Sequence, residues 1–169
     1  MDTQRVRNLL VEKGCDFSST NTDRILSVVS CQSVCNQVHT YCTDLMTTEG
    51  VMASGLGLLG SDRVFDENHP DVTPGRMLNK YGFLVLAISI GGNALAVHVE
   101  SGVVYWAEKS TFFYEGKVAL REPSGEYSYQ DCSPRAVEEA LTKLSDDLGG
   151  FLYMLLADEL IEKMNELDS

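Results

Sequence analysis

Three cysteines and a histidine lie near one another in the chain, at a spacing that could support metal binding. Cys31, Cys35 and Cys42 are four and seven residues apart, and His39 follows Cys35 by four residues. A continuous helix would align these side chains on one face, and thiolates and imidazoles are zinc ligands. However, zinc sites usually contain paired C-x2-C motifs, which this chain lacks, and cysteine is a common core residue. The sequence therefore favours core cysteines and predicts no metal, with a cysteine-based metal or ligand sensor as the weaker alternative.

The chain's other chemically active residues do not form a recognised catalytic pattern. His39, His69 and His98 are scattered, and none belongs to an H-E-x-x-H pair. The segment from Gly55 to Gly60 spells G-x-G-x-x-G, but a dinucleotide site needs a strand before this motif and a helix after it. A poor strand sequence precedes it, and a polar segment containing Pro70 follows. We therefore expect no enzyme activity and no cofactor.

The charge of the chain bears on its partners. Against 25 acidic residues there are 13 basic ones, and the formal net charge is -12. Proteins that bind nucleic acid need clustered lysine and arginine, so a nucleic-acid partner is not expected. Opposite fields speed the encounter of two proteins, which favours a basic protein partner. Solubility alone is the alternative explanation of the acidic charge.

The apolar segments and the N-terminus predict a cytoplasmic protein. The longest apolar run, residues 83–90, is far shorter than the ~20 residues of a membrane-spanning helix. The first seven residues lack the apolar stretch of a signal peptide. The odd number of cysteines, five, then indicates reduced thiols.

The hydrophobic pattern predicts helices at both ends of the chain and strands between them. Residues 4–13 read as a helix, and residues 23–45 as a second helical stretch with a break near 30–33. A short strand is expected from Leu56 to Leu59, followed by a polar loop at 66–70 and a turn at Pro74-Gly75.

Three strands, at 83–90, 94–100 and 103–108, then form an antiparallel meander, with Leu95, Val97 and Val99 on one face. Residues 114–129 form either a short hairpin or a surface loop. Ser133 and Pro134 begin a helix whose pattern continues to Leu144, and the segment beginning at Ser145 caps another. The predicted fold class is α+β in one domain, with a mainly antiparallel sheet flanked by N-terminal and C-terminal helices.

Three segments resemble the SUKH superfamily, the Smi/Knr-type domain, over roughly residues 50–157. The first is Gly57 to Gly60 followed by an acidic stretch ending in Asn68. The second is the meander, with its glycine pair before Asn93 and its Ser101-Gly102 turn. The third, residues 145–152, is similar to the family's closing helix. The usual N-terminal Leu-Pro helix of the family is not recognisable.

The resemblance implies a protein-binding domain without a catalytic site. Many bacterial members are immunity proteins that neutralise toxins, often nucleases, and fungal relatives are regulatory. We therefore expect a protein that neutralises a basic toxin domain, with a regulatory scaffold domain as the alternative. Aromatic side chains would anchor the partner and acidic side chains would steer it. The predicted contact residues are Trp106, Tyr105, Glu108, Asp62, Asp66, Glu67 and Glu100.

Overall fold

Six strands form one antiparallel sheet in the computed structural model, which describes residues 2–19, 21–61, 63–112, 114 and 116–169. The strands, in spatial order, are β1 (Val51–Ala53), β2 (Leu56–Leu58), β3 (Phe83–Ile88), β4 (Ala94–His98), β5 (Val104–Ala107) and β8 (Thr142–Ser145). Strands β6 (Lys117–Arg121) and β7 (Tyr127–Asp131) form a separate two-stranded hairpin.

Helices precede and follow the sheet, so the predicted α+β class is confirmed. They are α1 (Thr3–Glu12), α2 (Thr22–Leu26), α3 (Asn36–Thr40), α4 (Val64–Glu67), α5 (Gly75–Leu78), α6 (Pro134–Glu139), α7 (Leu148–Leu156) and α8 (Ile161–Asp168). A π-helical segment, Tyr41–Leu45, continues α3, and two short 3-10 helices are Asn79–Tyr81 and Lys109–Phe112.

The sheet is apolar on both faces, and each face is covered by a different set of elements. Leu95 and Val97 of β4 belong to a core shared with α1, α3, α7 and α8, whereas Ala94 and Ala96 belong to a second core. Val118 of β6 completes that second core together with residues of α5 and α6. The predicted division of β4 between two faces, and the meander itself, are confirmed.

The segment around the glycine motif is a hairpin and not a nucleotide-binding turn. Ser54 and Gly55 connect β1 to β2 and both have positive φ, as a two-residue type I′ turn requires. Gly57 lies within β2, which pairs antiparallel with β3. The prediction of a strand at Leu56 is confirmed, and the segment before the motif, which the sequence marks as a poor strand, forms the three-residue β1.

Three other local predictions were wrong for physical reasons. The segment expected to be a loop at 66–70 begins within α4, whose last residue is Glu67. The helix beginning at Ser133 and Pro134 forms, but it ends at Glu139 because the chain then joins the sheet edge as β8, which contains Leu144. Asp147 caps α7, while the Ser145 hydroxyl accepts a hydrogen bond from the Asp147 N–H.

Asn68 joins the connection after α4 to the central strand β3. Its side-chain Nδ2 donates to the carbonyl oxygens of Val64 (2.8 Å) and Val85 (3.2 Å), and its Oδ1 accepts from the Val85 N–H at 2.9 Å. Strand β2 pairs only with Ala87 and Ile88, so it does not reach Val85. The fully buried carboxamide therefore takes the place of a neighbouring strand at this point.

Replacing Asn68 by alanine is expected to lower the free energy of unfolding by about 2–3 kcal/mol, because the buried Val85 N–H loses its acceptor. Urea denaturation measures this change. Asn8→Ala is the matched control, since Asn8 is exposed on α1, and we expect a change of at most about 0.5 kcal/mol. Equal stabilities of the two variants would contradict the assigned role of Asn68.

Asp158 holds the β1–β2 turn against the ends of α1 and α7. Its carboxylate accepts hydrogen bonds from the Ser54 N–H at 2.6 Å and from Lys13 Nζ at 3.0 Å. The Ser54 bond, together with Lys13, lowers the pKa of Asp158. Asp158 also has a positive φ of 59°, a conformation that asparagine tolerates.

Asp158→Asn should therefore lower stability at neutral pH without straining the backbone. The pKa of Asp158 is lower in the folded state, so its stabilising contribution is complete above the unfolded pKa of about 4. That contribution disappears as the pH falls through the folded pKa. Urea unfolding from about pH 2 to pH 7 should show a shallower acid dependence for Asp158→Asn than for the wild type. Parallel curves would contradict this role.

Candidate partner-binding surface

The two predicted aromatic anchors, Trp106 and Tyr105, are core residues. Trp106 is 1% exposed and Tyr105 is 6% exposed, because consecutive residues of β5 face the two apolar cores. The Tyr105 hydroxyl donates to Glu138 Oε1 at 2.9 Å, which joins α6 to the sheet. Burial, with the Glu138 carboxylate, raises the pKa of Tyr105 to about 12. The prediction that these side chains are exposed contact anchors was therefore wrong.

The predicted acidic contact residues are separated in the structure. Glu100 accepts hydrogen bonds from the N–H groups of Gln32 (2.8 Å) and Ser33 (3.4 Å), which lower its pKa. Glu67, the last residue of α4, forms an ion pair with Arg63, the residue before that helix. These two carboxylates thus hold parts of the fold in place.

Two of the remaining three acidic candidates, Asp66 and Glu108, are among the described residues, and they differ in their surroundings. Asp66 is exposed on α4, Asp62 lies outside the described residues, and Glu108 lines a cleft beyond the end of β5. Glu108 is thus the acidic candidate that the structure places at a site suited to recognition.

The cysteines do not share a helical face. Cys31 is exposed and lies in the irregular segment between α2 and α3, Cys35 precedes the first residue of α3, and Cys42 is buried in the π-helical segment. The predicted break in this helical stretch is confirmed, and it is wider than expected. His39 lies within hydrogen-bonding range of Thr43.

This separation removes the basis of the proposed cysteine cluster, so the metal-site alternative was wrong in its geometry. Burial raises the pKa of Cys42 to about 12, which disfavours the thiolate that a metal needs. Within the described part of the chain, no three His, Cys, Asp or Glu side chains are grouped so as to hold a metal ion.

Exposed aromatic side chains are found instead on and beside the β6–β7 hairpin. Tyr114, Tyr127 and Tyr129 are 54%, 48% and 53% exposed. The rings of Tyr114 and Tyr129 pack edge to face with their centroids 5.2 Å apart, so their positions are partly fixed before any partner binds. Tyrosine is enriched at the centres of protein interfaces because it is large, rigid and amphipathic.

A cleft of about 490 Å³ lies between this hairpin, α6 and the adjoining ends of β5 and β8. Its walls combine apolar side chains with carboxylates and one arginine. The lining residues are Trp106, Glu108, Thr111, Ala119, Leu120, Arg121, Glu122, Tyr127, Gln130, Glu139, Ala140, Leu141 and Thr142. Three carboxylates against one guanidinium make the cleft a suitable receptor for a basic side chain with an aliphatic stem.

The carboxylates of the cleft are held by local contacts. Glu122 Oε1 accepts from the Ser128 hydroxyl at 2.6 Å, and Glu139 Oε1 pairs with Arg135 Nε at 2.7 Å. Among the described residues, the exposed Glu108 side chain takes part in no ion pair or hydrogen bond. Glu108 is therefore the carboxylate that can bind a partner's cation without first leaving another group.

We define the recognition surface as Glu108, Glu122, Tyr127, Tyr129 and Glu139. Sequence reasoning identified only Glu108 of this set. The signal for the tyrosines was nevertheless present, because Tyr127 and Tyr129 alternate with Ser128 and Gln130 between turn residues. Period-two alternation places side chains of alternate residues on one face of a strand. The prediction left open whether this segment forms a hairpin or a loop, so it did not use this alternation.

Comparisons of the chain with family models, with curated proteins and with solved structures find no match. The resemblance to the SUKH superfamily therefore stays a prediction based on the three motifs. Among the helices of the described residues, none has both the length and the apolar character to span a membrane.

Trp106→Ala is expected to lower the free energy of unfolding by about 3–5 kcal/mol, because it leaves a cavity between the sheet and the terminal helices. Thermal or urea unfolding measures the loss. Tyr127→Ala removes an exposed aromatic ring and should lower the free energy of unfolding by at most about 1 kcal/mol. The reverse order of the two effects would show that Trp106, and not Tyr127, belongs to the surface.

Proposed function

We propose that this chain is a non-catalytic protein-binding domain of the immunity type, which neutralises a basic toxin domain in the cytoplasm. The single observation that carries the proposal is that the exposed Tyr127 lines the same cleft as three carboxylates, with the exposed ring of Tyr129 two residues further along β7. The toxin-neutralising role comes from the resemblance to SUKH immunity proteins. The surface supports the binding part of the proposal.

The tyrosines are suited to provide most of the binding energy. Tyr127 and Tyr129 lie two residues apart on β7 and are half exposed, so a partner can bury both rings together. A few aromatic residues at the centre of an interface usually contribute most of its affinity. Each ring loses little conformational entropy on binding, since it has only two side-chain torsions.

The charge is suited to steering. The net charge of -12 attracts a basic protein. Salt screens this attraction over a Debye length of about 8–10 Å near physiological ionic strength. Glu108, Glu122 and Glu139 then supply the local acceptors for its lysine or arginine side chains. A nuclease toxin, whose own surface must bind a polyanion, is a partner of matching charge.

The proposal is tested by coexpressing the chain with the protein encoded by the neighbouring open reading frame. If that protein is the toxin, the chain should restore growth and form a complex with it. Association should slow as salt is raised, because steering is screened. Failure to restore growth and to form a complex would overturn the toxin-neutralising role.

The surface is tested by Tyr127→Ser combined with Tyr129→Ser in the same assay. We expect each substitution to remove about 2 kcal/mol or more of binding free energy, which raises the dissociation constant by about 30-fold or more. Calorimetry measures this change. Ile161→Ser is the matched control, because Ile161 is a similarly exposed apolar residue on α8, away from the hairpin. Weakening by Ile161→Ser alone would move the interface to the terminal helices.

A further inference from the structure

Strand β7 has an open edge for most of its length. Tyr127 to Asp131 pair with β6 over five successive positions without a bulge. In the described part of the chain β7 has no strand on its other side, and β6 is the strand that packs on α6 and on the 3-10 helix before it. An edge of this kind can pair with an added strand.

The direction of the β7 backbone groups follows from the bonds at the two ends of the ladder. The Glu122 N–H donates to the Glu126 carbonyl at 2.8 Å, and the Cys132 N–H donates to the Gly116 carbonyl at 3.0 Å. Antiparallel pairs alternate between hydrogen-bonded and non-hydrogen-bonded positions. The Ser128 and Gln130 groups therefore face β6, whereas those of Tyr127, Tyr129 and Asp131 face outward.

The alternation of the ladder turns these groups away from β6. Among the turn, loop and cap hydrogen bonds of the described residues, none uses the N–H of Tyr127, Tyr129 or Asp131. The same residues carry the exposed rings of the recognition surface. An added strand would therefore gain main-chain bonds and aromatic cross-strand contacts from the same three positions.

The two edges of the main sheet lack this combination. Strand β1 has only three residues, which limits the number of pairing bonds. Strand β8 carries Lys143 and pairs with β5 through a register shift, and lysine and bulges both discourage edge pairing. Strand β7 contains neither proline nor lysine, and its ladder with β6 is regular.

We infer that β7 is a strand-addition site for an extended basic segment of a protein partner. This inference rests on the proposed function and names how the partner is held. Charge selects the occupant: Glu122 and Glu126 lie at the turn end of β7 and are exposed. A second copy of this chain, also with a net charge of -12, would be repelled at the same edge.

The first test uses the full chain and a short peptide of alternating lysine and threonine, followed by amide hydrogen exchange. Exchange at Tyr127, Tyr129 and Asp131 should slow on the order of tenfold, as new pairing bonds protect these amides. Ser128 and Gln130 are internal controls, because their amides already bond to β6. The inference is overturned if these amides stay unprotected at saturating or millimolar peptide. It is also overturned if they are protected without peptide, because two copies of the chain would then pair with each other.

Two control peptides separate strand addition from simple charge attraction. One replaces every threonine by proline, which keeps the lysines and prevents a regular strand. The other replaces every lysine by glutamate. We expect neither control peptide to protect the three amides. If the proline peptide protects them as well as the threonine peptide does, the inference is overturned.

The variants distinguish this inference from the proposed function. Tyr127→Pro removes an outward N–H and the ring, while Tyr127→Val removes only the ring and keeps the N–H. Strand addition requires weaker peptide binding by Tyr127→Pro than by Tyr127→Val, with the amide spectrum showing that both variants are folded. If both weaken the toxin complex equally and the amides stay unprotected, the surface of the proposed function stands and strand addition fails.

Discussion

Both faces of the central sheet are apolar, and water has to be excluded from both. Strand β3 shows this most directly, because its residues from Phe83 to Ala87 are all buried and belong to two different cores. The terminal helices cover one face, with Phe151 and Leu155 of α7 among the buried residues. The other face needs a second cover, which α5, α6 and β6 provide. The position of the hairpin follows from this need.

The recognition surface is a consequence of that arrangement. Strand β6 is fixed against the second core by Val118, whereas its neighbour β7 is left on the outside, with four of its five residues exposed. The tyrosines of β7 are therefore presented by a strand whose partner is anchored in the core. A rigid support of this kind lowers the entropy lost when a partner binds.

Two polar side chains, the buried Asn68 and the exposed Glu100, connect irregular segments to this framework. The Asn68 carboxamide completes the bonding of β3 where β2 ends, and the Glu100 carboxylate binds the N–H groups of the segment before α3. These two side chains satisfy main-chain groups that the sheet and the helices leave unpaired. Asn68 thus gives a structural reason for an asparagine at the end of the acidic stretch, independent of any resemblance.

The sequence alone determined the fold class, the β3–β5 meander and the two faces of β4, because these depend on local periodicity and on glycine turns. Tertiary structure decided which residues became accessible. Trp106 and Tyr105 are residue types that often anchor contacts, but the two faces of β5 are covered, so these side chains are buried. The alternation of Tyr127 and Tyr129 was visible in the sequence, yet their exposure depends on where β6 docks, which is a long-range contact that no local pattern encodes.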